Sequence, residues 1–136
     1  MTALTDPSVA RSQRHQVQLR WADQDLNGHV NNARIMDYLQ EARIAFLHSP
    51  RTDAGYVIRS ITVQYLRPVH FRFASLTVTT EVTRVGSSSF TLRQQGTHSD
   101  AALFTAEVTV VAFSRSTQSK RTLDSADLEL LQVPSN

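Results

Sequence analysis

The chain has 136 residues, a formal charge of +2 and no cysteine, which suits one domain with a core of its own and excludes a disulfide framework, a thiolate zinc site and a cysteine nucleophile. Thirteen of its fourteen cations are arginines, scattered singly and never in a run that would track a phosphate backbone, so no nucleic-acid partner is expected. No apolar stretch approaches the ~18 residues of a membrane span and the first residues lack the apolar core of a secretory signal, so the expectation is a soluble, cytoplasmic protein with no membrane partner.

Residues 1–14 are polar, contain Pro7 and show no periodicity, which predicts a flexible tail ahead of a single domain over residues 15–136. From Gln16 to Trp21, the apolar Val17, Leu19 and Trp21 alternate with Gln16, Gln18 and Arg20, the pattern of a half-buried strand. After the loop ADQDLNGH, residues 31–48 place Ile35, Tyr38, Leu39, Ala42, Ala45 and Phe46 at spacings of three and four, one broad apolar face of a helix. The opposite face carries Arg34, Asp37, Gln40, Glu41 and Arg43, with Asn31 or Asn32 as N-cap and Pro50 stopping the helix.

Beyond Gly55 the chain reads as strands. Residues 57–66 put Val57, Ile61, Val63 and Tyr65 on one face, until Arg67 and Pro68 interrupt the ladder. Two further strands over 74–85 and 88–95 flank a turn at Gly86-Ser87. In the longest strand, 102–113, Phe104, Ala106, Val108, Val110 and Ala112 alternate against Thr105, Glu107, Thr109 and Val111. A short helix over Asp124–Leu131 ends the pattern. This order predicts an α+β domain in which one apolar helix packs on a strongly curved antiparallel sheet of five strands.

The informative stretch is ADQDLNGHVNNARIMDYLQEAR, residues 22–43. An aromatic after the first strand, an Asp-x-Asp pair, a Gly-His-Val-Asn-Asn turn and a helix carrying Glu-Ala-Arg resemble the hotdog-fold thioesterases of the 4-hydroxybenzoyl-CoA thioesterase family, and HVNNAR followed by an aromatic and EAR is similar to its long-chain acyl-CoA branch. ITVQYLRPV, VGSSSF and EVTVVAF resemble the family's second strand, central hairpin and last strand. The resemblance implies a hotdog fold, hydrolysis of an acyl-CoA thioester, and a site at the interface of a homodimer or homotetramer. It assigns the catalytic carboxylate to Asp25 and a backbone N–H for the thioester oxygen to Asn32, with Asp23 the more variable member of the pair. Lys120 and Arg121 stand near where relatives place a basic contact to coenzyme A, and Arg67 is a similar substrate-binding candidate. Two features depart from the family: serines in VGSSSF replace basic residues seen in some relatives, and RPVHFRFASL replaces a usual Gly-Asp.

The residues support this chemistry by themselves. Thioester hydrolysis needs a group that delivers water or attacks the carbonyl, and donors for the developing oxyanion. Asp25 on a strand-to-helix loop supplies the first as base or nucleophile; the free N–H groups at the helix start supply the second. An isolated Asp before a helix is more often a cap or turn residue, a reading that the whole motif reverses. Asp23 reads as a structural acceptor for loop N–H groups. His29 is balanced between orienting substrate or water and serving as a turn residue, and Asn31 between capping and a side-chain contact to water. Glu41 is expected on the polar face, or bound to Arg43 or a neighbouring subunit, and Asp37 to pair with Arg34. No metal or other cofactor is implied, since no His/Asp/Glu cluster has ligand spacing. The competing function is a non-catalytic acyl-CoA-binding hotdog module; a hydratase-type site would need an Asp–His arrangement that this motif lacks.

Overall fold

The computed structural model describes residues 11–132 and the backbone of residues 2 and 3. In chain order it contains β1 (Thr2–Ala3), β2 (Ser12–Gln18), α1 (Asn32–Phe46), β3 (Ala54–Tyr65), β4 (Ser75–Val85), β5 (Ser89–His98), β6 (Ala101–Ser114), β7 (Ser119–Lys120) and α2 (Ser125–Leu131). All pairings are antiparallel. The sheet runs β4–β5–β6–β3, with β1 and β2 both on the outer side of β4 and β7 on β6. Five long strands curl into a half-barrel around α1, as the patterning predicts, and two strands of two residues extend it.

Alternation decides which side of the sheet meets α1. On β6, Phe104, Ala106, Val108, Val110 and Ala112 are all buried while the intervening residues face outward. From above, α1 lowers Ile35, Tyr38, Leu39, Ala42 and Phe46 onto Val17, Leu76, Val78, Phe90 and Leu92. Full burial of a Leu or Phe side chain contributes about 1.5–3 kcal/mol, so Leu39, Phe46, Phe90 and Phe104, all with no exposed surface, dominate the core. Gly96 is required opposite Phe104, because a Cβ there would overlap the ring.

Four local expectations are corrected. Ser12, Gln13 and Arg14, assigned above to the tail, are the first residues of β2 and pair with Glu81, Thr80 and Thr79; most of the remaining tail lies outside the described residues. The inward positions Gln13 and His15 are polar, so hydrophobic period could not show this part of the strand: Gln13 accepts from Arg11 (2.8 Å) and His15 Nε2 meets Glu41 (2.7 Å). Trp21 does not continue the strand but starts a 3-10 turn, Trp21–Asp23, and is 73% exposed. On β3, a bulge between Ile58 and Ser60 shifts the register. Ile58, opposite Val110, therefore shares the inner face with Ile61 and Val63, while Val57 turns outward. Finally, Arg43 is not on the polar face of α1 but is buried, donating to Gln94 Oε1 (3.0 Å), whose amide donates to Leu39 O and Thr80 Oγ1.

The α1 N-cap is Asn31, whose Oδ1 accepts from Ala33 N (2.7 Å), and the helix closes at Leu47. Arg34 and Asp37 pair at 3.0 Å as expected. No helix among the described residues is long and apolar enough to cross a membrane.

Candidate active site

The segment between β2 and α1 is held from below by Asp23. This carboxylate is buried, accepts from Tyr38 Oη (2.6 Å) and Arg20 N (3.2 Å), and pairs with the Arg20 guanidinium (3.1 Å). Burial alone would raise its pKa, but the Tyr38 and Arg20 hydrogen bonds outweigh that and hold it below the usual carboxylate value. Desolvation and the Asp23 anion together push the Tyr38 hydroxyl well up. Asp23 is thus the structural acceptor that the sequence implies, joined to α1 through Tyr38.

Above that clamp, residues 25–29 form a tight loop. Asp25 N donates to His29 O (2.6 Å) and Gly28 N to Asp25 O (3.2 Å), with a bridge between Gln24 and Val30 closing the base. Gly28 has φ +77°, a conformation that L side chains rarely adopt. Asp25 Oδ1 accepts the backbone N–H of Asn27 (2.8 Å) and of His29 (3.2 Å), an Asx-type turn that fixes the side chain. Oδ2 has no partner among the described residues, and Asp25 is exposed.

Across from this loop, Val30 N donates to Val69 O (2.7 Å) and His29 bridges His70. These bonds bring the end of β3 against the start of α1 and enclose a pocket of about 460 Å³. Asp25, His29, Asn31, Asn32 and Arg67 all line it. In the first turn of α1, Ala33 N is taken by the Asn31 side chain, and Arg34 N and Ile35 N by Asn31 O. The Asn32 N–H has no acceptor among the described residues, and Asn32 borders the pocket at the N-terminal, positive end of the helix dipole. Arg67 reaches the wall with one nitrogen bound to Ala102 O (2.6 Å).

Two expected substrate contacts are not in this pocket. Lys120 pairs with Phe113 near the far end of β6, whereas the pocket lies beside its Leu103 end; ten residues of strand separate them by about 30 Å. The Arg121 guanidinium is committed to Asp127 at 2.6 and 2.9 Å. Glu41 is bound to His15, not to Arg43. Sequence reasoning did not reach Tyr65, Leu66 and Val69 as pocket walls, nor the His70 ring packed edge-on to His29 with centroids 4.8 Å apart. The signal available was the RPVH interruption, which ends the ladder at the place where the chain must turn across the helix start.

A half-barrel gripping one long helix defines the hotdog fold, here with a carboxylate loop beside the helix N-terminus. The chain matches the Thioesterase-like superfamily over residues 19–132 and belongs to it; thioester hydrolysis is accordingly its general activity. It is 30% identical over 107 residues to the uncharacterized protein YsmA of Bacillus subtilis strain 168, covering 74% of this chain and 72% of YsmA. Among solved structures it resembles the probable thioesterase YbaW from Escherichia coli, with 26% identity, a TM-score of 0.75, and coverage of 87% of this chain and 97% of YbaW. It also resembles a gentisyl-coenzyme A thioesterase, BH1999, with 17% identity, a TM-score of 0.74, and coverage of 84% and 98%.

Proposed function

We propose that the protein is a cytoplasmic acyl-CoA thioesterase in which Asp25 acts as general base or nucleophile and the Asn32 N–H binds the oxyanion. The observation that carries this reading is the pairing, in one pocket, of a carboxylate anchored through one oxygen with the open first turn of α1. As base, Asp25 takes a proton from water while the hydroxide oxygen adds to the thioester carbon. The carbonyl oxygen becomes an oxyanion held at Asn32 N, and collapse expels the coenzyme A thiolate, which takes the proton back. As nucleophile, Asp25 bonds to the carbonyl carbon itself, and the C–S bond breaks to release the coenzyme A thiolate and leave a mixed anhydride. Water then cleaves that anhydride into the free acid and the Asp25 carboxylate, and the proton released goes to the thiolate. Thiolate leaves readily enough that no histidine partner is needed. Losing one oxyanion donor of this kind costs about 2.7–4 kcal/mol of transition-state stabilisation. His29 and Asn31 border the reacting atoms, and Arg67 supplies a cation for the phosphates of coenzyme A. A gentisyl-coenzyme A thioesterase among the structural neighbours supports a coenzyme A thioester as substrate.

We further propose a homodimer or homotetramer. One edge of β3 is unpaired among the described residues, and Val57, Ile58, Tyr65 and Leu66 on and beside it are each at least 43% exposed. Pairing two such edges covers this surface. Thiol release from a panel of short, long and aromatic acyl-CoAs tests the activity, with Asp25→Asn expected to lower turnover at least about 10²-fold while leaving the melting temperature nearly unchanged. Turnover within a few-fold of the parent would remove Asp25 from the chemistry. Light scattering at micromolar protein should show no monomer.

A further inference from the structure

The other end of α1 holds a second cavity, of about 380 Å³, between the helix and the start of β3. Ile44, Leu47, Tyr56 and Ile58 give it apolar walls. Its charged lining is cationic: Arg43 and Arg115 border it, beside His48, and no Asp or Glu does. Arg43 is 92% buried, since only 8% of its surface is exposed. Among the described residues it is the one buried charge with no counter-ion: Asp23 pairs with Arg20 and Asp127 with Arg121 and Arg51, while Arg43 has only the neutral Gln94. Burial lowers its pKa accordingly. No fully buried side-chain nitrogen or oxygen among the described residues lacks a partner, so the guanidinium nitrogens that Gln94 does not take keep some access to solvent, and Arg43 lines this cavity. Buried arginines are normally paired, and a guanidinium fork in an apolar chamber matches one ligand group best, a planar carboxylate bound through two parallel N–H donors.

We propose that this cavity binds the carboxylate of an organic acid with an apolar body, using Arg43 as its counter-ion. It lies about three helical turns from Asn32, roughly 16 Å along α1, and is separate from the Asp25 pocket. The carboxylate has two sources. It is either the free acid that hydrolysis releases, or the distal carboxylate of a substrate whose thioester end sits at Asp25. The second source rests on the thioesterase reading above. Antiparallel pairing of β3 edges would set the Ala54 end of one strand beside the Tyr65 end of its partner, and so the cavity of one subunit beside the Asp25 pocket of the other.

Calorimetric titration of the intact protein with octanoate and with octanamide tests the binding. Octanoate should bind at least tenfold more tightly, and Arg43→Gln should erase the difference. Because that variant can loosen the Gln94 cluster, its melting curve is recorded alongside. Ile44→Trp, on the exposed rim, should weaken both ligands without touching Arg43. Equal binding of octanoate and octanamide to the parent, or no binding of either at millimolar concentration, overturns the proposal, as does undiminished octanoate binding by Ile44→Trp. Comparing octanoyl-CoA with the mono-CoA thioester of octanedioate separates the sources. A preference for the dicarboxylic thioester that Arg43→Gln removes assigns the substrate's distal end, and inhibition by octanoate without such a preference assigns the product. If neither thioester is hydrolysed, the thioesterase reading fails while the comparison of octanoate with octanamide still decides the site.

Discussion

Asp25 and Asp127 are both held by named hydrogen bonds, yet the two regions treat a carboxylate in opposite ways. Asp25 is exposed, anchored through Oδ1 by two backbone N–H groups, with Oδ2 unengaged among the described residues. Asp127, on α2, has no exposed surface. It receives the Arg121 fork at 2.6 and 2.9 Å, the Tyr56 hydroxyl at 2.5 Å, Arg51 at 3.4 Å and the Asp124 N–H at 2.8 Å. Burial alone would raise the Asp127 pKa; the Arg121 and Tyr56 bonds outweigh it and hold the group far below the usual carboxylate range, while desolvation and the Asp127 anion push Tyr56 up to about 12. A carboxylate saturated with donors stabilises the fold and has no lone pair left for a substrate. One that is fixed but half-satisfied can take a proton.

Removing Asp127 should therefore break stability where removing Asp25 breaks turnover. Asp127→Ala leaves Arg121 and Tyr56 partly buried without their anion, and the expected loss is about 3–5 kcal/mol in urea unfolding, with the folded fraction hydrolysing thioester at the parental rate. A large fall in turnover of folded protein would mean that α2 reaches the site. The same contrast has a pH form. The folded-state pKa values of Asp23 and Asp127 lie below the unfolded value of about 3.9. Their contribution is thus present above that pH and lost as pH falls from there through the folded values. Asp127→Asn should flatten the acid limb of stability against pH, by about 1.4 kcal/mol for each pH unit that separates the folded and unfolded pKa values; an unchanged acid limb would mean that the fold does not favour the Asp127 anion.

Tyr38 lies between the two extremes, since it holds the floor beneath the Asp25 loop. Tyr38→Phe removes a hydrogen bond to a buried anion, with an expected cost of about 2 kcal/mol. Because Asp23 O also receives Asn31 N at 2.9 Å, loosening that floor should move the helix start and lower kcat several-fold more than it raises KM. Stability loss with unchanged kcat would separate the clamp from the chemistry.

The smallest effect is expected at Ala74. It has φ +65° directly after the 3-10 turn Phe71–Phe73, and its carbonyl accepts Leu19 N at 2.9 Å. Ala74→Gly relieves backbone strain at some cost in unfolded-chain entropy, for a net gain of about 1 kcal/mol read as a higher melting temperature.

What could be read in the residues alone follows how local each signal is. The α1 face from Ile35 to Phe46, the alternation of β6 and the short helix before Leu131 are short-range patterns, and the folded chain places them as read. The motif around Asp25 was legible for the same reason: an Asx turn, a glycine at positive φ and a helix N-cap are all set within eight residues. Three features were decided only by tertiary structure. The bulge that moves Ile58 to the inner face depends on the partner strand β6, because register is a property of a pair and not of one strand. Arg43 left the polar face because Gln94 approaches α1 from a strand 51 residues away in sequence, whereas Glu41 stays exposed there and finds its partner, His15, 26 residues away. The ion pair of Arg121 with the buried Asp127 exists only because α2 packs against β3, where Tyr56 also meets Asp127. Periodicity tells which face of a segment is apolar, but a charged side chain goes wherever the assembled fold offers it a partner, and that is fixed by contacts far apart in the chain.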